Sequence, residues 1–567
     1  MSGRTRPEMC MAFATFLTSI VFLSTTGCSN DDLSGLVPEI LSASPDSGNV
    51  GTRVEITGAN FEPGTVVSFG QWQSAQVTFV SSTTIQAYAP DGIQRDSVYD
   101  IRVTNPEGPY AVRSQAYRGV RPLLQSVDGV TKPRGSPGST VIFEGSSFGD
   151  LLGKGTVYFV DGGGRPTASQ ISLPENWTNE IIIAVVPSTA VTGPVWIETP
   201  TGNTDSTIVT ISPAVTFSPS LIQWTQTQSL PDSSQGHAAV SLSIESGFGA
   251  GNLIYLVGGA DGSSNPSPSV FYSIVGATGQ PGPWFSENPL PTPRAFHGLA
   301  VATPYNSLVD TNVAGYLYVI GGENAGRVAA SVYFAAVDKD RTIDPWALES
   351  ALPVPLRNMG VAIFRSWLYV TGGATIDSLP MREVYRSHIN SDGTLDAWEA
   401  QPSLPYPLAY APLVQFGGTL YVLGGDSGAV APGVNTLTQS RLKNVLSNQI
   451  DIRTGALKNA SWTFNTNELI KDVAKHSVVV AGGTILVSGG IYQGASSSST
   501  EHQYASINPD GTISSFNGAT GSQTIGTPFF NHAAISYVDG TGIAHVLIIG
   551  GNDFNNPTRA SRLTYYY

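Results

Sequence analysis

Four of the chain's seven histidines recur at one place in an internal repeat. Aligned on the small residue that opens a strand, that place is held by His237, His297, Met359, Ala411, His476 and His532. Imidazoles gathered at one channel mouth could bind a metal or relay protons, because histidine titrates near neutrality and is a versatile ligand. A repeated position is equally a packing position, and equivalent sites on separate elements can lie too far apart to share one ion. No catalytic residue and no metal site is therefore assigned. The loop before the histidine carries Arg294 in Pro293-Arg294-Ala295-Phe296-His297 and Arg357 in Leu356-Arg357-Asn358. A guanidinium offers a planar donor pair that suits a carboxylate. Other copies of the loop have Ser234, Leu408 and Val473 near that point, while Tyr410, Phe529 and Phe530 could serve as apolar platforms or pack against a neighbour. The candidate ligand-binding set is Arg294, His297, Arg357, Tyr410, His476 and His532.

The elements that must position these residues show in the repeat itself. Gly-Gly pairs end apolar strands at 258–259, 321–322, 372–373, 424–425, 489–490 and 550–551. Their spacing of ~50–65 residues fits a propeller blade of about 50 residues with surplus length in loops. An aromatic precedes each pair: Trp224, Trp284, Trp346, Trp398, Trp462 and Phe516. Leu-Pro recurs between the two markers at 230–231, 290–291, 352–353 and 404–405, and Asp-Gly turns at 392–393 and 510–511 signal hairpins. Six aromatics alternating with six glycine pairs predict six blades over 214–567. The strand around Ile222-Gln223-Trp224 is expected to complete the sheet formed by the C-terminal strands, so that the circle has no open edge.

Ahead of the repeat, short period-two segments broken by turns, such as Thr52 to Gly58 and Thr65 to Gly70, read as β-sandwich strands. Pro45, Gly48, Gly51-Thr52, Gly58-Ala59-Asn60-Phe61 and Phe69-Gly70 together resemble an IPT/TIG immunoglobulin-like module over 38–120. Gly138-Ser139-Thr140-Val141 and Gly145-Ser146-Ser147-Phe148-Gly149 repeat the pattern over 121–213, with Ser147 in place of the usual Asn and an unusual insert from Asp150 to Gly155. The glycine-pair repeat resembles kelch blades. The expected fold is all-β: two IPT/TIG sandwiches, then a six-bladed kelch propeller.

Arg4 and Arg6 precede an apolar run from Met11 to Leu23, too short to span a bilayer, then small residues up to Gly27 and Cys28. The segment resembles a bacterial lipoprotein signal peptide over 1–27, although Thr25 stands where such signals carry Leu. The resemblance implies lipidation at Cys28, a tether over 28–37, and a membrane as partner through the lipid. Two acyl signals suffice for stable anchoring. After Cys28 no cysteine remains, so no internal disulfide is expected.

Composition limits the rest. Gly and Pro supply 62 and 38 of 567 residues, under the roughly 25% that marks disorder. A net charge of −14 without a basic run argues against a nucleic-acid partner. Galactose oxidases share a kelch propeller and an immunoglobulin-like module, but their copper chemistry needs a cysteine crosslinked to tyrosine. No cofactor is therefore expected. The whole resembles bacterial surface lipoproteins of IPT/TIG and kelch type, which implies a non-enzymatic cell-envelope protein, at the outer membrane or cell surface, that recognises a protein or an extracellular glycan. The alternative is a carbohydrate-active enzyme resembling sialic acid mutarotases, which are exported six-bladed kelch propellers.

Overall fold

The computed structural model describes residues 36–566 other than 129–132, 136, 152, 172–173, 212–216, 233, 245–250, 304–311, 429–439, 453, 494–500, 509, 519–524, 526–528, 540–542, 554–555 and 561–563. Cys28 and its leader lie outside the described residues. Among the described residues nearly all regular structure is β, with two short 3-10 turns, and no helix is long and apolar enough to cross a membrane.

The first sandwich pairs Glu39–Ser44, Arg53–Ala59, Thr84–Tyr88 and Val77–Ser81 in one sheet, and packs it on a second built around Tyr110–Gly119, Val98–Thr104 and Val66–Phe69. Alternation turns Val54 and Ile56 inward onto Phe61, Phe69 and Tyr117. The second sandwich sets Leu123–Val127, Thr140–Ser146 and Ile181–Val185 against a sheet centred on Ala190–Thr199. Its core holds Phe143, Phe148, Phe159 and Trp177.

The shared Gly-x-x-Phe motif has one cause in both copies. Gly58 and Gly145 lie where a Cβ would meet the carbonyls of Glu39 and Leu123 and the rings of Phe61 and Phe148. Asn60 and Ser147 both turn the chain with φ near +60° (59 and 60), so Ser147 does the work of the asparagine. The insert carries the joint between the sandwiches: the Asp150 carboxylate accepts from the Arg53 N–H at 2.7 Å and the Asn179 N–H at 3.0 Å.

Six four-stranded sheets follow, and their inner strands neighbour one another in a closed ring: Ala238–Ile244, Gly298–Ala302, Gly360–Phe364, Leu413–Phe416, Ser477–Ala481 and Ala533–Val538. We number the blades 1 to 6 in that order. Blade 6 is finished by Thr225–Gln226, which pairs antiparallel with Thr564–Tyr566. The closing strand thus begins just after Ile222-Gln223-Trp224, because the 3-10 turn Pro219–Leu221 delays extension. Ile222 and Trp224 instead pack under blades 5 and 6.

The recurrent aromatics and Asp-Gly turns tie neighbours together. Trp346, Trp398 and Trp462 each donate an indole N–H to the segment leaving the preceding blade, at Asn288, Ser350 and Pro402 carbonyls. Tyr318, Tyr369 and Tyr421 donate to turn carbonyls of the following blade, at Gly393, Gly455 and Gly511.

One end of the propeller abuts the second sandwich. Ile142, Ile181 and Ile183 share an apolar cluster with Phe364 and Ile452, and a fully buried isoleucine stabilises by roughly 1.5–3 kcal/mol. Arg365, at the hairpin tip of blade 3, pairs with Glu144 at 2.9 Å. Between the two bodies lies a cavity of ≈ 530 Å³ lined by Asp128, Ile142 and Ile183 from the sandwich and by Ser241, Phe364 and Gln415 from inner strands. Burial pushes the Asp128 carboxyl up to about 6; the Ile142 N–H and Arg365 oppose that shift, and Glu144 adds to it.

Ionising Asp128 therefore costs the folded state: stability present below the ordinary carboxylate range is lost as pH rises through about 6. Asp128→Asn, which keeps an oxygen for the Ile142 N–H, should raise the melting temperature at about pH 7.5 and leave it nearly unchanged at about pH 4. The expected gain is on the order of 1–2 kcal/mol, read by calorimetry at both pH values.

Candidate ligand-binding mouth

The free end of the channel is built by one residue per blade. Immediately before the repeated histidine column stand Gly236, Phe296, Asn358, Tyr410, Lys475 and Asn531, all with φ between 54 and 60°. Left-handed backbone costs a non-glycine residue roughly 1 kcal/mol or more and persists where surroundings over-determine it. Here a series of five main-chain hydrogen bonds, running from Tyr410 through Asn358, Phe296, Gly236 and Asn531 to Lys475, does so. The Phe296 N–H donates to Gly236 at 2.6 Å, Asn358 to Phe296 at 2.9 Å, Tyr410 to Asn358 at 2.9 Å, Asn531 to Lys475 at 3.1 Å and Gly236 to Asn531 at 2.9 Å. These bonds form a collar around a pocket of ≈ 240 Å³.

Beneath the collar the histidines explain the glycine pairs. A Cβ on the first glycine of a pair would meet the side chain in the next blade's histidine column: Gly550 against His237 at 2.5 Å, Gly258 against His297 at 2.8 Å, Gly489 against His532 at 2.8 Å and Gly424 against His476 at 3.1 Å. The second glycine faces the Cβ of its own blade's residue, as Gly490 does His476 at 2.7 Å. His297, His476 and His532 are 6–7% exposed. They line the pocket floor and are clamped between blades. Among the described residues no three His, Cys, Asp or Glu side chains converge as metal ligands.

Arg294 lies within its own loop. It is 6% exposed, donates to Ser331 at 2.7 Å and to the Pro293 carbonyl at 3.1 Å, and lies over the Tyr333 ring. Its planar fork thus pins its own loop. Arg357 stays nearer the surface, ion-paired with Glu323 and donating to Ser378 at 2.8 Å. Tyr410 does reach the mouth. Burial pushes its hydroxyl pKa up, and it feels the charges of Arg357, Glu323 and Asp426. Phe529 and Phe530 are buried, 4% and 7% exposed, and pack rather than face a ligand. Phe296, Asn358, Lys475 and Asn531 were not singled out as ligand contacts in the sequence. Their signal is one aligned column, next to the histidine column, in which side-chain type changes from blade to blade.

Residues 38–117 match the family model of the IPT/TIG domain, so that domain is present. Beta-scruin of Limulus polyphemus is 25% identical over 225 residues, which is 39% of this chain and 21% of Beta-scruin. The chain thus spans about a fifth of that relative. Among solved structures, "Structure of YjhT" aligns with 60% of this chain and 95% of its own, at 16% identity and a TM-score of 0.43. The six sheets and their glycine-pair repeat make the C-terminal part a kelch-type β-propeller, carried behind two immunoglobulin-like sandwiches.

Burial holds the clamped histidines neutral: His237 is lowered to about 4, His297 and His476 to about 3, and His532 well below its ordinary value. The unfolded chain takes up these protons near pH 6.5, so stability is complete above that value and falls as pH drops toward the folded pKa values. His297→Met or His476→Met, copying the residue that fills the column at 359, should flatten the fall in melting temperature between about pH 6.5 and 4 by about one proton's worth of slope. An unchanged slope would show that the histidine titrates normally in the folded protein.

Proposed function

We propose that the chain is a non-enzymatic binding protein of the bacterial cell envelope. A lipid on Cys28 would anchor it, the sandwiches would act as a rigid stalk, and the collar would engage a ligand. The observation that carries this reading is the inequality of the channel's two ends. One end is taken up by the second sandwich, through Ile142, Ile183 and the Glu144–Arg365 pair; the other ends in Gly236 and five left-handed non-glycine residues, Phe296, Asn358, Tyr410, Lys475 and Asn531. Strain held at a rim is a functional marker when the surroundings maintain it. Aromatic rings at Phe296 and Tyr410 with amides at Asn358 and Asn531 suit a sugar ring with its hydroxyls, so a glycan is favoured over a protein.

The test is a glycan-array and pull-down screen with the soluble chain from Ser29 onward. Phe296→Ala/Tyr410→Ala should lose glycan signal at least tenfold while melting within a few degrees of wild type. Glycan capture that survives this double change, or protein capture alone, would move the function to other loops or to the sandwiches.

One observation favours the carbohydrate-active alternative. Glu323 supplies a carboxylate in contact with Arg357, and both side chains are about one-fifth exposed, 19% and 20%. If this pair catalyses a ring-opening exchange at a sugar's anomeric centre, a bound reducing sugar should equilibrate its anomers faster with wild type than with Glu323→Gln, as followed by NMR. Equal rates would leave binding alone.

A further inference from the structure

We propose that the ligand of the mouth is an anionic glycan, and that Lys475 is the residue that selects for its charge. This rests on the reading of the collar as the binding site and adds the ligand's chemistry.

Lys475 projects from the collar in left-handed backbone, with its ammonium 5.0 Å from the centre of the Tyr410 ring and 5.8 Å from that of Phe530. Among the described residues no carboxylate or carbonyl bonds to it. The charged groups around it are accounted for in turn. Arg357 is ion-paired with Glu323. Arg441 donates to the Tyr492 carbonyl, and Asp426 accepts from the Gly428 N–H at 2.9 Å. With Lys475, Arg357 and Arg441 set against Glu323 and Asp426, the rim keeps one positive charge in excess, on a chain whose net charge is −14.

A partly buried ammonium without a bonded counter-charge gives up some of its hydration, and a cation over an aromatic face recovers only about 0.5–2 kcal/mol. Burial, followed by Arg441, accordingly lowers the pKa of Lys475, with Asp426 opposing. The arrangement becomes favourable once a ligand oxyanion stands above the ammonium. The Tyr410 ring then forms one wall of a site that reads a sugar's apolar face and its acidic group together. A carboxylate and a sulfate satisfy this chemistry equally, and both belong in the test.

The experiment uses an array of uronate-bearing, sulfated and neutral oligosaccharides, followed by titration of oligogalacturonate and its methyl ester, which share a backbone and differ in charge. Wild type is expected to prefer the acid to the ester by about tenfold or more. Lys475→Met should abolish that preference by bringing acid binding down to the level of the ester, and Lys475→Arg should retain it. Preference for the sulfated rather than the uronate set, with the same response to Lys475→Met, supports the proposal and names the acid. A ligand-free measurement runs beside these: Lys475→Met should melt at or above the wild-type temperature, because it removes an uncompensated charge. A charge preference that persists in Lys475→Met, or a clear loss of stability, overturns the assignment. Array binding to neutral glycans only overturns it while leaving the collar as a binding site; no binding to any glycan removes both.

Discussion

Closing six twisted sheets into a circle is the constraint from which the other features follow. Each inner strand must begin at the channel mouth beside its neighbour, and the chain reaches that start only by reversing sharply out of the preceding blade. The left-handed residue before each inner strand makes the reversal, and in five of the six blades its main-chain N–H, pointing back around the circle, bonds to the residue one blade earlier. The hydrogen bonds make the strained conformation the stable one. The pairing of Thr225–Gln226 with Thr564–Tyr566 lets the circle close, by making the last blade partly from the beginning of the propeller.

The same closure dictates the second layer. Once the collar fixes the strand starts, the following side chain is driven under the neighbouring blade, into the turn that ends its second strand. Only glycine leaves room there, and only glycine takes both positive φ values of the pair readily, as at Gly489 and Gly490 (60 and 92°). Histidine fills the gap with a flat ring, and His237 bonds the Ile549 carbonyl at 3.0 Å. Met359 and Ala411 occupy the same column without disturbing the circle, so the column asks for a shape and not for imidazole chemistry.

This explains what the sequence disclosed and what it kept back. Backbone demands leave residue-specific traces: glycine pairs, Asp-Gly turns and evenly spaced tryptophans each answer a steric or hydrogen-bonding need that few residues meet, and from them the fold was legible. The collar's main-chain bonds make almost no demand on side-chain identity beyond tolerating left-handed backbone. Phe296, Asn358 and Lys475 therefore carry no motif. Arg294 differs: its loop resembles a ligand-binding one, and only the fold brings Ser331 and Tyr333 to its guanidinium. Arg365 and Glu144 lie in different domains, and no local pattern foretells their meeting.

A separation of duties follows. Fold stability in the propeller resides in main-chain bonds, glycines and buried rings, which the collar's side chains scarcely touch, so those side chains can vary in chemistry at little cost to the circle. The second sandwich adds a direction to this symmetry. By packing Ile142 and Ile183 against one end and setting Glu144 on Arg365, it covers that end and ties the orientation of the open mouth to the sandwich. The Asp150 contacts to Arg53 and Asn179 extend the tie to the first sandwich. A mouth held beyond two jointed sandwiches depends on contacts at both joints. That is where the chain spends its interdomain charges.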